Sequence, residues 1–198
     1  MEFPAAPATL ALIVANLTAS LYALAIDQRF VGEFSFHVGA IARRKQHYRI
    51  FTSSFLHGDL FHLLFNMMTL FFFGPTVERI LGTDGFLVVY FGAILTSGIV
   101  SFYVRKNELD YSSIGASDGV SGVVLAFCVF FPFSPIYFMF VPFGIPAIIY
   151  GVLFMAISAG MMGQHGGRIA HEGHLGGALA GVVLTLLMKP AALTQFFG

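Results

Sequence analysis

Long apolar blocks alternate with short polar connections along this chain. A helix that crosses a bilayer needs about 20 mostly apolar residues. Six blocks approach that length: residues 9–26, 53–73, 85–104, 115–131, 143–162 and 170–188. The first could also be read as a signal peptide, because Ala23-Leu24-Ala25 resembles a cleavage site. A signal peptide opens with a basic region, and no Lys or Arg precedes this block, so it is read as a span. The six blocks predict an all-α membrane protein with both termini on one side. No internal repeat or second domain is visible, so residues 1–198 are read as one membrane domain.

Two connections are unusual. Residues 28–52 are too long for a turn and mix Phe with Arg43, Arg44, Lys45 and Arg49. That mixture predicts an amphipathic, membrane-associated segment at the interface. Residues 132–146 hold four prolines among Phe, Met and Ile, a broken apolar connection able to dip into the membrane.

Composition agrees with lipid exposure. The chain is 57% hydrophobic and 10% charged, with a mean hydropathy of +0.83. Soluble domains carry about 25% charged residues, so much of this surface must be apolar. Ten basic and ten acidic residues cancel, leaving no basic field for nucleic acid. Cys128 is the only cysteine. It excludes an intrachain disulfide and is read as a packed apolar residue.

The fourth block is short. Its 17 residues make a helix of about 25 Å, against a hydrocarbon layer of about 30 Å. If one end reaches a membrane face, Ser117 near the other end lies below the opposite face. Non-helical backbone at that depth needs protein or water around it, so a water-filled pocket is predicted above Ser117.

Polar residues inside spans default to a functional reading. His62 and Asn66 lie four residues apart on one face of the second block. Ser117 and Asp118 open the fourth, and His171, Glu172 and His174 open the sixth. Spans alternate in direction, so the starts of the second, fourth and sixth blocks share one side. His62, Asn66, Ser117 and His174 can therefore converge on one cavity. Taken singly, each could merely bond a neighbouring carbonyl or join two helices. His57, His165 and His171 are read as interfacial. Gly173, Gly177 and Gly181 recur every fourth residue, facing small residues Gly115, Ser117, Gly119 and Ser121. Such faces allow close helix approach, which a short Ser–His hydrogen bond requires.

Two other motifs come near and do not fit. Gly115-Ala116-Ser117-Asp118-Gly119 matches G-x-S-x-G, but that elbow needs a preceding strand. His171-Glu172-Gly173-His174 is one residue short of H-E-x-x-H, and no third ligand is evident. Neither a metal nor another cofactor is expected.

Several short patterns then fall in one order: Tyr48-Arg49, His62-Leu63-Leu64-Phe65-Asn66, Glu78-Arg79, Gly115-Ala116-Ser117 and Gly173-His174-Leu175-Gly176-Gly177. Together, from about residue 45 to 188, the chain resembles the rhomboid family of intramembrane serine proteases in its six-span bacterial form. Two positions depart from the family pattern: Asp118 stands where Gly is frequent, and Ser121 where an aromatic often stacks on the histidine.

The resemblance implies a six-helix bundle that cleaves membrane helices of other proteins, as a multi-pass protein of the cell (inner or plasma) membrane. Ser117 would be the nucleophile and His174 its base. The Ser117 backbone N–H, His62 and Asn66 would hold the oxyanion, helped by the N-terminal partial charge of the fourth helix. Glu172 falls on the far face from His174, so a dyad is expected, and Asp118 is read as a helix-start residue. The family also suggests a gate between the second and fifth spans, with residues 163–168 as a lid. Its usual topology places the site outside. The basic residues point the other way, because Arg29, Arg43, Arg44, Lys45, Arg49, Arg105, Lys106 and Arg168 crowd the Ser117 side. A rhomboid-like helix binder without activity and a small transporter remain open alternatives. Paired broken helices in two matching halves would favour the transporter and are not evident.

Overall fold

The computed structural model describes residues 6–137, 143–162 and 170–196. Helix α1 spans Pro7–Ala25, close to the predicted 9–26. Its start is tied down from a distance. The Glu78 carboxylate accepts from the Ala8 and Thr9 N–H groups at 3.0 and 2.8 Å and from the Thr9 hydroxyl at 2.8 Å. Free N–H groups at a helix start favour a carboxylate there.

The second and third blocks differ most from expectation. The predicted connection between 73 and 85 is reduced to a single break, and α5, Leu60–Arg105, is two helical limbs on either side of it. The first limb passes straight through Gly74-Pro75, a pair that reads as a stop. Gly74 is instead a contact point, because a Cβ there would lie 2.6 Å from Thr9 Cγ2 of α1. Proline inside apolar helices is tolerated where neighbours satisfy the freed carbonyl. The real break is Gly82 (φ +75°, ψ 166°), which divides α5 into two limbs. That left-handed backbone suits glycine alone. Thr83, just beyond it, donates to Glu78 at 2.9 Å, so one buried carboxylate holds both α1 and the break. The first limb also starts later than residue 53. A short 3-10 turn (Ser53–Phe55) comes first, and Asp59 caps α5 by accepting from the His62 N–H at 2.8 Å.

Residues 28–52 fold as α2 (Arg29–Phe34), β1 (Phe36–His37), α3 (Val38–Arg44) and α4 (Arg49–Thr52). The Arg49 side chain is buried and gathers them. It donates to the Gly32 and Ser35 carbonyls at 3.0 and 2.9 Å and to Gln46 at 2.7 Å. Strand β1 pairs antiparallel with β2 (Ser112–Ser113), the segment just before the fourth block. Helix α6 (Ser117–Phe130) is buried along most of its length. After it, β3 (Pro135–Ile136) and β4 (Ile145–Pro146) form a second short pair. That pair delays α7 to Ala147–Gly160, shorter than the predicted 143–162. Helix α8 covers His171–Met188, followed by a 3-10 segment, Pro190–Phe196, turned by 107°.

The result is an all-α membrane bundle. By length and composition α1 and α5 can cross a membrane, and α8 with the bent segment is a further candidate. Helices α6 and α7, with 14 residues each, are only about 21 Å long. Apolar side chains cover the outside, among them Phe61, Phe72, Ile157, Val183 and Leu187. Asn16, Ser20, His57, Glu78, Arg105 and Glu172 are buried inside. This is the reverse of a water-soluble domain.

Helices α6 and α8 touch through glycine. A Cβ at Gly177 would collide with the Asp118 carbonyl, and one at Gly181 with the Gly122 carbonyl. Gly119, expected on this seam, faces Tyr90 of α5 instead.

Glu78→Ala should lower stability in detergent by on the order of 2–4 kcal/mol, read as a lower melting midpoint, since hydrogen bonds to a charged group contribute about 1.5–3 kcal/mol each. Glu78→Gln should recover part of the loss. Equal stability of wild type and Glu78→Ala would mean that water replaces the carboxylate.

Candidate active site

Ser117 is the first residue of α6 and His174 lies in the first turn of α8. The glycine seam brings these two starts together. His174 Nε2 is 2.8 Å from Ser117 Oγ, within the range for a nucleophile and its base. Gly115 precedes the serine with φ +141°, turning the chain sharply into α6. Because α6 begins at Ser117, the N–H groups of its first turn have no intrahelical acceptor.

The imidazole is oriented from several sides. The Phe154 ring of α7 stacks on it with centroids 5.9 Å apart and 22° between planes. The aromatic missing at position 121 is therefore supplied by another helix. Ser121 donates to the Asp118 carbonyl at 2.9 Å and reaches the His174 carbonyl at 3.5 Å, which adds to the seam. No carboxylate hydrogen-bonds the His174 ring among the described residues.

Glu172 faces elsewhere. It is fully buried and pairs with Arg105 at 2.7 Å, while the Tyr111 hydroxyl donates to it at 2.8 Å. This pair ties the end of α5 to the start of α8. The sequence reading placed Arg105 among the loop charges; it is a buried partner, 3% exposed. Asp118 lies in the first turn of α6, as expected. A Cβ at Gly173 would lie 2.7 Å from its Oδ1 and 2.8 Å from Ser97 Oγ. Glycine at 173 therefore makes room for two polar groups behind the Ser–His pair.

His62 and Asn66 face the same cavity as Ser117 and His174. A Cβ at Gly115 would be 2.9 Å from His62 Nε2 and 3.5 Å from Ser117 Oγ, so both groups flank one point. Asn66 Nδ2 donates to the His62 carbonyl at 3.0 Å, which occupies one of its two N–H bonds. The cavity measures about 1150 Å³. Phe65, Phe72 and Phe73 of the first α5 limb line one side, and Tyr150 and Phe154 of α7 the other. The predicted pocket above Ser117 is thus present. The suggested lid, residues 163–168, lies outside the described residues, as does His165.

His57 is the residue the sequence reading misjudged. Taken as interfacial, it is fully buried. Its Nε2 accepts from the Ala116 N–H at 3.3 Å, and its Nδ1 lies 2.8 Å from Ser20 Oγ of α1. Ser20 in turn donates to the Phe55 carbonyl at 3.0 Å. These roles are mutually consistent only for a neutral ring with the proton on Nδ1. The ring also meets His62 edge-on, with centroids 4.9 Å apart. His57 therefore fixes the backbone just before Ser117 and one side of His62. Its partners are far away in sequence, so no local pattern reveals it. Among the described residues, no group of three or more His, Cys, Asp or Glu is placed to hold a metal.

The Rhomboid domain family model matches residues 44–191. The chain belongs to the rhomboid family. It is 42% identical over 86 residues to "Putative rhomboid protease YdcA" of Bacillus subtilis (strain 168). It is 31% identical over 134 residues to the human presenilin-associated rhomboid-like protein, mitochondrial. It is 28% identical over 149 residues to rhomboid protein 1, mitochondrial, of Saccharomyces cerevisiae (strain ATCC 204508 / S288c). These matches cover 42%, 66% and 74% of this chain and 42%, 35% and 43% of the relatives. The chain thus spans less than half the length of each relative. In this rhomboid α1 lies outside the matched stretch, yet Ser20 and the Glu78 contacts bind it to the site's framework.

His57→Leu removes both nitrogens at a side-chain volume close to that of histidine, so it avoids overpacking this buried position. It leaves the buried Ala116 N–H without its acceptor, which should cost about 1–3 kcal/mol and show as a lower melting midpoint in detergent. An unchanged midpoint would mean that the N–H finds another acceptor.

Proposed function

We propose that this rhomboid is an intramembrane serine endopeptidase that cuts membrane helices of other proteins through a Ser117–His174 dyad. The observation that carries the reading is the 2.8 Å contact between Ser117 Oγ and His174 Nε2 at the wall of the 1150 Å³ cavity. His174 takes the serine proton as Oγ attacks the scissile carbonyl, then returns a proton to the leaving amine. Water in the cavity then hydrolyses the acyl-enzyme with His174 again as base. Charge develops on the carbonyl oxygen during attack. The Ser117 N–H, the second Asn66 N–H and His62 stabilise it, with the start of α6 adding its partial positive charge.

The substrate is extended at the cut, because helical carbonyls are hydrogen-bonded and shielded. Gly or other helix-weakening residues near the end of its span ease that unwinding. Entry is lateral, between the first α5 limb and α7. Residues 1–198 act as one membrane domain, multi-pass in the cell (inner or plasma) membrane, with the dyad toward the outside.

The decisive assay is cleavage of a model transmembrane helix by purified protein. Ser117→Ala and His174→Ala should each abolish the product band with melting midpoints close to wild type. Cleavage by Ser117→Ala at the wild-type rate would remove the protease reading. If the protein only binds helices, a fluorophosphonate probe will leave Ser117 unlabelled.

His62→Ala and Asn66→Ala should lower kcat by about 10²–10³, the usual loss for one oxyanion donor, with KM little changed. Loss of folding in both variants, without a kinetic effect in the folded fraction, would reassign them as helix–helix contacts.

A further inference from the structure

A second, smaller cavity of about 410 Å³ lies on the outer face, away from the dyad. Ile41 and Ala42 of α3, Ile50 of α4, and Ile99, Phe102 and Tyr103 of the second α5 limb line it, with Lys45 and His47 at one end. Its walls are mostly apolar, and among the described residues its one charged lining group is Lys45, beside the His47 imidazole and the neutral Tyr103 phenol. Arg43, Arg44 and Lys45 form an exposed run beside it, and none has an ion-pair partner among the described residues.

The depth of this groove can be placed. Tyr103 and Tyr48 are 67% and 46% exposed, and exposed tyrosines near basic residues mark the headgroup level. Ile99 is 44% exposed one turn deeper along α5. The groove therefore runs from cations at the interface down an apolar wall, which matches a phosphate headgroup above an acyl chain. Lys45 adds an independent sign. It ends α3 in the left-handed conformation, φ 59°, where glycine is the unstrained choice. A side chain kept at such a place points to a use for it.

We infer that this groove is a binding site for one anionic phospholipid, its phosphate held by Lys45, His47 and the adjoining Arg44, and one acyl chain laid between α3–α4 and the second α5 limb. Because α4 carries Arg49, an occupied groove would brace the loop that pairs with β2 beside the dyad. The inference does not depend on protease activity.

Native mass spectrometry of the full chain in detergent, with equal phosphatidylglycerol and phosphatidylcholine, tests it. Wild type should retain one phosphatidylglycerol in preference. Lys45→Gly relieves the backbone strain, so it should melt no lower than wild type yet lose about fivefold in retention, the effect of one basic residue near a lipid surface. Ile99→Trp fills the groove without altering charge and should also lose the lipid. Retention by Ile99→Trp equal to wild type would overturn the site in favour of general surface attraction. Displacement of the lipid by millimolar inorganic phosphate would likewise overturn it in favour of a simple anion site. Equal retention of the two lipids by wild type would overturn it outright.

Discussion

The close approach of α6 and α8 is the constraint from which the site follows. At Gly177 and Gly181 there is no space for even one carbon beyond the backbone. Two helix starts held this tightly bring a short serine side chain within 2.8 Å of an imidazole. A seam of larger residues would move the helices apart by more than a hydrogen bond can span, because helix axes with ordinary side chains lie about 8–10 Å apart. Ser121 reinforces the seam with hydroxyl contacts to carbonyls on both helices.

Four buried charged groups, Glu78, Arg49, Arg105 and Glu172, supply the rest of the positioning, and each is hydrogen-bonded. Glu78 gathers α1 and the Gly82 break, Arg49 gathers the first loop, and Arg105 with Glu172 fixes the end of α5 against the start of α8. Removing a charge from water is costly unless geometry and further hydrogen bonds compensate. Each of these groups meets that condition: Glu78 accepts four hydrogen bonds, and Glu172 accepts from both Arg105 and Tyr111. A lipid-facing surface has no comparable means of fixing relative helix positions, since apolar side chains contact lipid as readily as each other.

The parts legible in the sequence are those whose chemistry is local. Ser117, His174 and the His62/Asn66 pair stand at helix starts or one turn apart, where spacing alone places them on a face. The α8 glycines are legible for the same reason. What sequence reading missed depends on distant partners. His57 bonds Ser20 and Ala116, 37 and 59 residues away, and Arg105 meets Glu172 67 residues away. Opposite charges at the same-side ends of two spans were the available sign of that second pair. Within the predicted 73–85 connection, the helix continues past Gly74-Pro75, where the glycine makes room for Thr9, and breaks at Gly82.

Helix α7 carries a side chain shared by the large cavity and the Ser117–His174 pair. It buries only Ala147, Gly151 and Ser158, so few contacts hold it to the bundle. Low burial of this kind marks the elements of a fold that open most readily. Yet Phe154 on this helix both lines the large cavity and stacks on His174. Outward displacement of α7 widens the passage beside the first α5 limb and at the same time removes the surface that holds the imidazole. The same helix returning restores the stack. Admission of a guest and alignment of the Ser–His pair are therefore coupled through one aromatic ring, and the open arrangement is the one in which the pair is less well held.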